Sequence, residues 1–486
     1  MLSISSRLFE EWNSSGIKYC HWKSNEHLME GLDGLTDLDV LVDKSNRDDC
    51  IKIYNKLSFI PCRSQYGSRY PDVEDWLGFD EETGRMIHLH HHYAIITGHR
   101  GLKEYNLPWT MEALNTRHLD EVTGVYVSDP SLELITLYTR IGLKAYSKTL
   151  KAAKGGEYRI SESDQKEIDY LSKRVNQSVL SKLVEFYFPC DATEMERIIN
   201  SKTLGSDDYL VLSSITARSL NKCNRYNRIG SWILRPYYRI TLHLRSMIKK
   251  VYPYALITRK TPKTSFHPVV CFLGQDGSGK STVTKEINSW LSWKLDSRRF
   301  YLGSGDEHYN PWQKRLHKKI HKNDAPWAKL LRAWLPFSYQ LASARYVKRT
   351  IKQANQFASL GGIALLDRYP QIEVAGINDG PKIRSSLFKR VPKYLLGIAK
   401  VYASIEERIL AKATRYSPSL VIKLMLSTEE SMRRKPFENQ EMVQHKHEII
   451  NNLQFPDSDV VVIDAEQDYE TEIRQIKKEI WQRLLQ

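Results

Sequence analysis

The sequence predicts an α/β multidomain chain, with a parallel sheet flanked by helices at the carboxyl-terminal end, a helical middle and a mixed α+β amino-terminal part. Three observations predict it. The chain has 486 residues, more than a single hydrophobic core usually spans. From His267 onward, short apolar runs (Val269 to Leu273, Ile363 to Leu366, Val421 to Leu426, Val460 to Ile463) alternate with long amphipathic stretches, which is the pattern of strand–helix–strand repeats. Between Ser131 and Leu220, apolar residues such as Leu132, Ile135, Leu180, Leu183 and Val184 recur at helical spacing, with a break at Gly155-Gly156.

Taken in order, residues 1–125 hold short apolar runs broken by Gly and Asp, including Asp39-Val40-Leu41-Val42-Asp43, and read as mixed helix and strand. Residues 126–217 read as a helical domain. Residues 218–265 form a basic, aromatic linker ending in Thr261-Pro262-Lys263-Thr264, and residues 266–486 form the parallel-sheet domain. Hydrophobic residues are 41% and charged residues 27%, which excludes general disorder. No apolar run approaches the roughly 18 residues that a membrane span needs. Met1 to Gly16 carries Glu10, Glu11 and Trp12 where a secretory signal has an apolar stretch. Six cysteines without a C-x-x-C pair indicate neither a zinc knuckle nor a disulfide frame, so a reducing cytoplasm is expected.

The formal charge is +15, and its excess is concentrated. No acidic residue occurs between Asp208 and Asp276, while Arg218, Arg225, Arg235, Arg239, Arg245, Lys249, Lys250 and others accumulate there among Tyr226, Trp232, Tyr237 and Tyr238. Such a block attracts phosphates. Residues 218–263 are therefore expected to meet nucleic acid, an anionic membrane with Trp232, Ile233, Leu234 and Leu242 as the apolar side, or another domain.

The strongest motif is Gly274-Gln275-Asp276-Gly277-Ser278-Gly279-Lys280-Ser281-Thr282, which satisfies G-x-x-x-x-G-K-[ST] between an apolar run and an amphipathic helix. Its glycines let backbone amides turn inward onto a phosphate, and the helix start adds positive potential. ATP is the expected ligand, with Lys280 on the β and γ phosphates and Ser281 on Mg2+. Asp367, ending an apolar strand, is a second Mg2+ candidate, and the adjacent Arg368 is placed to grip an acceptor phosphate. Arg433, Arg434 and Lys435 are expected to offset the charge of the transferring phosphoryl group.

These stretches resemble the thymidylate kinases, a branch of the nucleoside monophosphate kinases. The resemblance rests on Asp276 to Thr282, on Leu341 to Arg345, on Gly361 to Tyr369 with its Asp-Arg-Tyr ending, and on Pro418 to Leu424 followed by Arg433-Arg434-Lys435. It implies a P-loop kinase fold over 266–486, Lys280, Asp367, Arg368, Arg433 and Arg434 as catalytic residues, and Arg345, Arg368 and Tyr369 at the acceptor. The acceptor half departs from the family. Tyr301 to His308 replaces its Arg-Glu-Pro-Gly segment, Leu341 replaces a phenylalanine, and Pro370-Gln371-Ile372-Glu373 follows Tyr369. A nucleotide or another phosphorylated or hydroxyl-bearing small molecule is thus the expected acceptor.

In the amino-terminal part, Gly34-Leu35-Thr36-Asp37-Leu38-Asp39 places two aspartates on one face of a strand, a second candidate Mg2+ pair. With Ser24 to Leu28 and Ile87-His88-Leu89-His90, this resembles the nucleotidyltransferase fold, and His88 stands where that fold's third carboxylate is expected. His88, His90 and His92 share a strand face, and a polar strand edge is expected there in preference to a zinc site. The chain is accordingly read as an ATP- and Mg2+-dependent phosphotransferase, a kinase. The alternatives are a nucleotide-switched binding protein and a nucleotidyltransferase acting through Asp37 and Asp39. A homo-oligomer is compatible with each.

Overall fold

The computed structural model describes the chain apart from Arg100, Asp276 and residues 145–159, 304–324, 377–378, 389–395 and 435–439. Gly155-Gly156, Asp276, Ser304 to His308 and Lys435 therefore lie outside the described residues. Contacts divide the chain into two compact units, Met1–Val251 and Tyr252–Gln486. Among the described residues, no helix is long and apolar enough to cross a membrane.

The second unit is built on five parallel strands in the spatial order Ser297–Tyr301, Ile363–Asp367, Val269–Gly274, Leu420–Met425, Asp459–Asp464. The three inner strands are almost wholly buried, because helices cover both faces. The outer strand Ser297–Tyr301 (Ser-Arg-Arg-Phe-Tyr) is buried only at Ser297 and Phe300, and its polar composition hid it in the apolar pattern. Phe272 pairs with Asp367, and Asp367 pairs with Tyr301, so Asp367 ends its strand at the carboxyl edge of the sheet. That edge is where open α/β sheets gather ligands. One core joins Val269, Cys271, Phe300, Val347, Ile351, Phe357, Leu366 and Val421.

In the first unit, Ile60–Arg63, Val73–Phe79, Met86–His92, Asp37–Val42, Tyr19–His21, Val125–Val127 and His118–Asp120 lie side by side in that order. Asp37–Val42 runs parallel to Met86–His92 with Asp37 opposite His88 and Asp39 opposite His90. The middle of the chain is helical, as its periodicity predicts: Pro130–Lys144, Glu162–Ser172, Gln177–Tyr187, Ala192–Ser201 and Ser206–Ser219. Three starts are capped by side chains, since Asp129 accepts from the amides of Ser131 and Leu132, Ser161 from that of Asp164, and Asn176 from those of Ser178 and Val179. These helices share a core with Cys20, Trp22 and Leu41 of the strands and so belong to the same compact unit.

The basic stretch contains a 24-residue helix, Arg228–Val251, that is continuous with the first unit. Arg235 makes a two-pronged contact with buried Glu104 (Nε 3.0 Å, Nη2 2.8 Å), and Arg225 reaches Asp72 at 3.3 Å. Burial works against ionisation of Glu104, yet His99 and Arg235 pull its carboxyl down to about 2.

Candidate active site

The loop between strand Val269–Gly274 and helix Lys280–Ser292 carries the G-x-x-x-x-G-K-[ST] motif. Gly277 and Gly279 have φ of +91° and +77°, the left-handed region where a side chain costs about 1–2 kcal/mol. Gly274 meets a different demand. A Cβ there would stand 2.5 Å from Ser278 Oγ and 2.6 Å from the Leu424 carbonyl of the adjacent strand. Buried Lys280 folds back over the loop and donates to the carbonyls of Gly274 (2.9 Å) and Gln275 (2.5 Å). Ser278 Oγ and both polar atoms of the Gln275 side chain are buried without a hydrogen-bond partner.

At the end of the adjacent strand, Asp367 is fully buried. Its Oδ2 accepts from Ser281 Oγ at 2.8 Å and lies 3.6 Å from Arg299 Nη2, while its Oδ1 has no partner among the described residues. A buried carboxylate oxygen left unsatisfied costs free energy unless something binds it. Two hard oxygen donors, Ser281 Oγ and Asp367, at a phosphate loop suit Mg2+, which is held by one or two carboxylates together with substrate phosphates. The next residue, Arg368, has φ +81°, an unusual backbone for a side chain that persists only where its surroundings over-determine it. Its amide donates to Phe272 O (3.2 Å) and its guanidinium faces Asp379 at 3.5 Å.

A cleft of about 700 Å³ opens between these groups, lined by Lys280, Arg368, Tyr369, Asp379, Lys382 and Lys446 among others. Asp379 and Lys382 also line a neighbouring cleft of about 410 Å³ with Gln340, Ser343 and Glu406. Burial pushes the Asp379 carboxyl above its ordinary value, with Arg368 and Lys382 acting against that rise. Tyr369 turns its hydroxyl away to the Tyr416 carbonyl at 2.8 Å, leaving its ring at the cleft wall. Helix Thr428–Arg434 separates the surroundings of Arg433 and Arg434. Arg434 reaches Gly277 O of the loop (3.3 Å) and Ala465 O (3.1 Å), while Arg433 is 78% exposed and pairs with Glu430 at 2.6 Å.

Lys280, Ser281, Asp367, Arg368 and Arg434 thus converge at one edge of the sheet. Arg345 does not join them: it is exposed on helix Pro326–Ser359 and lines neither cleft, whereas Gln340 and Ser343 of the same helix do. Arg299, Asp379, Lys382 and Glu406 were missed in the sequence. Arg299 sits in the unrecognised edge strand, and the other three follow no motif.

The first unit holds a second polar cluster. His88 is hydrogen-bonded through Nδ1 to Asp37 (2.7 Å) and through Nε2 to Asp75 (2.9 Å). Asp39 is met by Lys23 Nζ (2.8 Å) and His90 Nδ1 (2.9 Å). Burial opposes the ionisation of Asp39, but Lys23, His90 and His92 hold its carboxyl well below the usual range. The expected Asp37–Asp39 metal pair is therefore not the arrangement seen, since each aspartate is engaged by a different basic partner. The donors that do converge are those of Asp39, His90 and His92, within 4.8 Å of one another. Beside them Lys23, Lys103, Arg140 and Lys144 line a pocket of about 330 Å³ with Trp22 and Tyr70. Burial brings Lys103 down to about 8, and Arg140 together with burial brings Lys144 to about 7. Asp75, on strand Val73–Phe79, is a third carboxylate that the sequence pattern did not reveal, because it comes from a strand preceding the histidine run.

No family model matches the chain. It is distantly related to ATP-binding proteins. It is 25% identical over 232 residues to the uncharacterized ATP-binding protein YghR of Escherichia coli (strain K12), covering 45% of this chain and 89% of that protein. It is 24% identical over 212 residues to YghS, another uncharacterized ATP-binding protein of that strain, covering 40% of this chain and 85% of its relative. Among solved structures, it is similar to deoxyadenosine kinase from M. mycoides with bound dATP. That similarity has a TM-score of 0.28 and 19% identity over 44% of this chain and 98% of the kinase.

Proposed function

We propose that the second unit is an ATP- and Mg2+-dependent phosphotransferase whose acceptor occupies the cleft lined by Arg368, Asp379 and Lys382. The observation that carries this reading is the fully buried Asp367, which has one oxygen on Ser281 and one unpartnered at the mouth of a phosphate loop. Ser281 and Asp367 would hold Mg2+, and the ion would supply charge neutralisation at the phosphates. Lys280 moves from the loop carbonyls to the phosphate tail, where its ammonium finds a stronger, charged acceptor. Arg434, already against the loop, compensates charge on the phosphoryl group in flight. Arg368 orients the acceptor, and Asp379, with its raised carboxyl, takes the proton of an acceptor hydroxyl. Transfer then needs little beyond alignment and charge compensation.

Lys280→Ala tests it. ATP turnover with pools of nucleotides, sugars and other hydroxyl-bearing acceptors should fall at least about 100-fold while the cooperative melt is retained. A variant as active as the parent removes the proposal. A second reading, nucleotidyl transfer by the first unit, is favoured by Asp39, which contacts Lys23 and His90 in the wall of the Lys23–Lys103–Arg140–Lys144 pocket. Loss of nucleotide labelling of a small molecule in Asp39→Ala, but not in Lys280→Ala, would favour this second activity.

A further inference from the structure

Helix Arg228–Val251 has two opposite stripes: a mixed polar and aromatic one docked on its own unit and an apolar one facing outward. Ser231, Arg235, Tyr238, Leu242 and Arg245 recur at spacings of four and three residues and face their own unit. Ser231 is buried, Arg235 holds Glu104, Tyr238 stacks on Tyr66 with centroids 6.4 Å apart, and Arg245 lies 4.8 Å over the same Tyr66 ring. Leu242 lies against Gly67, where an added Cβ would stand 2.8 Å from it, and beside Gly101. This overturns the grouping of Leu242 with an outward apolar side.

The opposite stripe comprises Ile229, Ile233, Ile240, Leu244, Met247 and Val251, spaced by four, seven, four, three and four residues. At 3.6 residues per turn it lies about 180° round the helix from the docked stripe. It is open to solvent: Ile229 is 71% exposed, Ile240 59%, Leu244 51% and Val251 69%. The helix is about 36 Å long, so this is an apolar ridge along its full length. Exposed apolar area of that extent marks an interaction surface in place of ordinary surface scatter.

The chemistry beside the ridge selects its partner. Trp232 is 70% exposed, and Arg239 and Lys250, which lie with it about 90° round the helix from the ridge, are exposed as well. The whole segment between Asp208 and Asp276 lacks any carboxylate to offset them. An apolar ridge flanked by cations and an indole matches the boundary of an anionic bilayer, where acyl chains, headgroup phosphates and the interfacial zone are layered within a few ångströms. A protein partner with an apolar groove would not require the carboxylate-free charge, and nucleic acid would not require the six aliphatic side chains. We infer that helix Arg228–Val251 seats the first unit on the surface of a membrane rich in anionic lipid, its outward ridge in the acyl boundary and its cations on the headgroup phosphates. The helix lies on the surface and does not span the bilayer, in keeping with the absence of any spanning helix among the described residues.

The test is flotation of the full-length chain with vesicles of phosphatidylcholine alone and of phosphatidylcholine containing about one quarter phosphatidylglycerol. The chain should float with the anionic vesicles and at least about tenfold less with the neutral ones. Ile240→Glu with Leu244→Glu should reduce flotation about tenfold or more without lowering the melting temperature, because both side chains already face water. Ile240→Val with Leu244→Ile should keep it, and Arg239→Gln with Lys250→Gln should weaken it severalfold and lessen its salt dependence. No flotation with anionic vesicles, or flotation untouched by the glutamate pair, overturns the inference. So does a parent chain that binds no vesicle while forming a dimer which the glutamate pair dissolves, or one that binds duplex DNA or RNA but no vesicle.

Discussion

Asp367→Asn separates the chemical role of this carboxylate from any structural one. Asn has the same shape, so no cavity forms, and its oxygen can keep accepting from Ser281 Oγ, now 2.8 Å from Oδ2. Its amide nitrogen takes the place of Oδ1, which already lacks a partner, so one unsatisfied buried atom replaces another. What disappears is the charge and with it the 3.6 Å contact to Arg299, a partly exposed arginine. A pair of that kind contributes about 0–1 kcal/mol. For a unit the size of Tyr252–Gln486, each kcal/mol moves the melting temperature about 2–4 °C, so the shift should stay within roughly 4 °C. Phosphoryl transfer, by contrast, loses a group placed to hold the cation, and turnover should fall about 100- to 1000-fold. Calorimetric ATP titrations at several magnesium concentrations give the more specific readout. Affinity without magnesium should be unchanged, and the gain on adding magnesium should vanish. A melting temperature lowered by more than about 10 °C would make Asp367 a structural residue. Full turnover in a well-folded variant would refute its place in the reaction.

Three further outcomes are expected. Gly274→Ala forces a Cβ to within 2.6 Å of the Leu424 carbonyl, a backbone atom that cannot swing aside. Overpacking of this kind costs about 1–3 kcal/mol, so thermal melts should show a lower transition together with weakened ATP binding in calorimetry. Arg434→Ala should lower turnover at least about tenfold and Arg433→Ala less than about threefold, because only Arg434 touches the loop; equal effects in steady-state assays would show that both arginines close over the phosphate. The fourth prediction concerns pH. Burial, reinforced by Glu167, raises the Glu133 carboxyl from 4.5 to about 8. Between those values the folded chain holds a proton that the unfolded chain has released, so this group's contribution to stability falls as pH rises through that window. The melting temperature of Glu133→Gln minus that of the parent should therefore climb from pH 4.5 to 8, and a flat difference would place the proton elsewhere.

What could be read in the chain without its fold was whatever local backbone chemistry enforces. Gly277, Gly279 and Lys280 declare a phosphate loop because left-handed φ and a helix start are properties of consecutive residues. Three strands of the second unit were legible because a strand covered on both faces must be apolar, and the edge strand Asp459–Asp464 because its Val-Val-Val-Ile run is apolar although mostly exposed. Ser297–Tyr301 was not, since an edge strand needs burial at only some of its positions, and Arg299 was lost with it. The basic block was visible as composition, but which side of its helix meets the protein depends on where Gly67, Gly101 and Tyr66 lie. Likewise Asp75 meets His88, Asp379 meets Arg368, and Arg345 turns away from the cleft. Each of these depends on residues distant in sequence being brought within a few ångströms, and no local pattern encodes a distance of that kind. The glycine-rich loop is thus written in nine consecutive letters, while the walls of the cleft beside it exist only once the chain has folded.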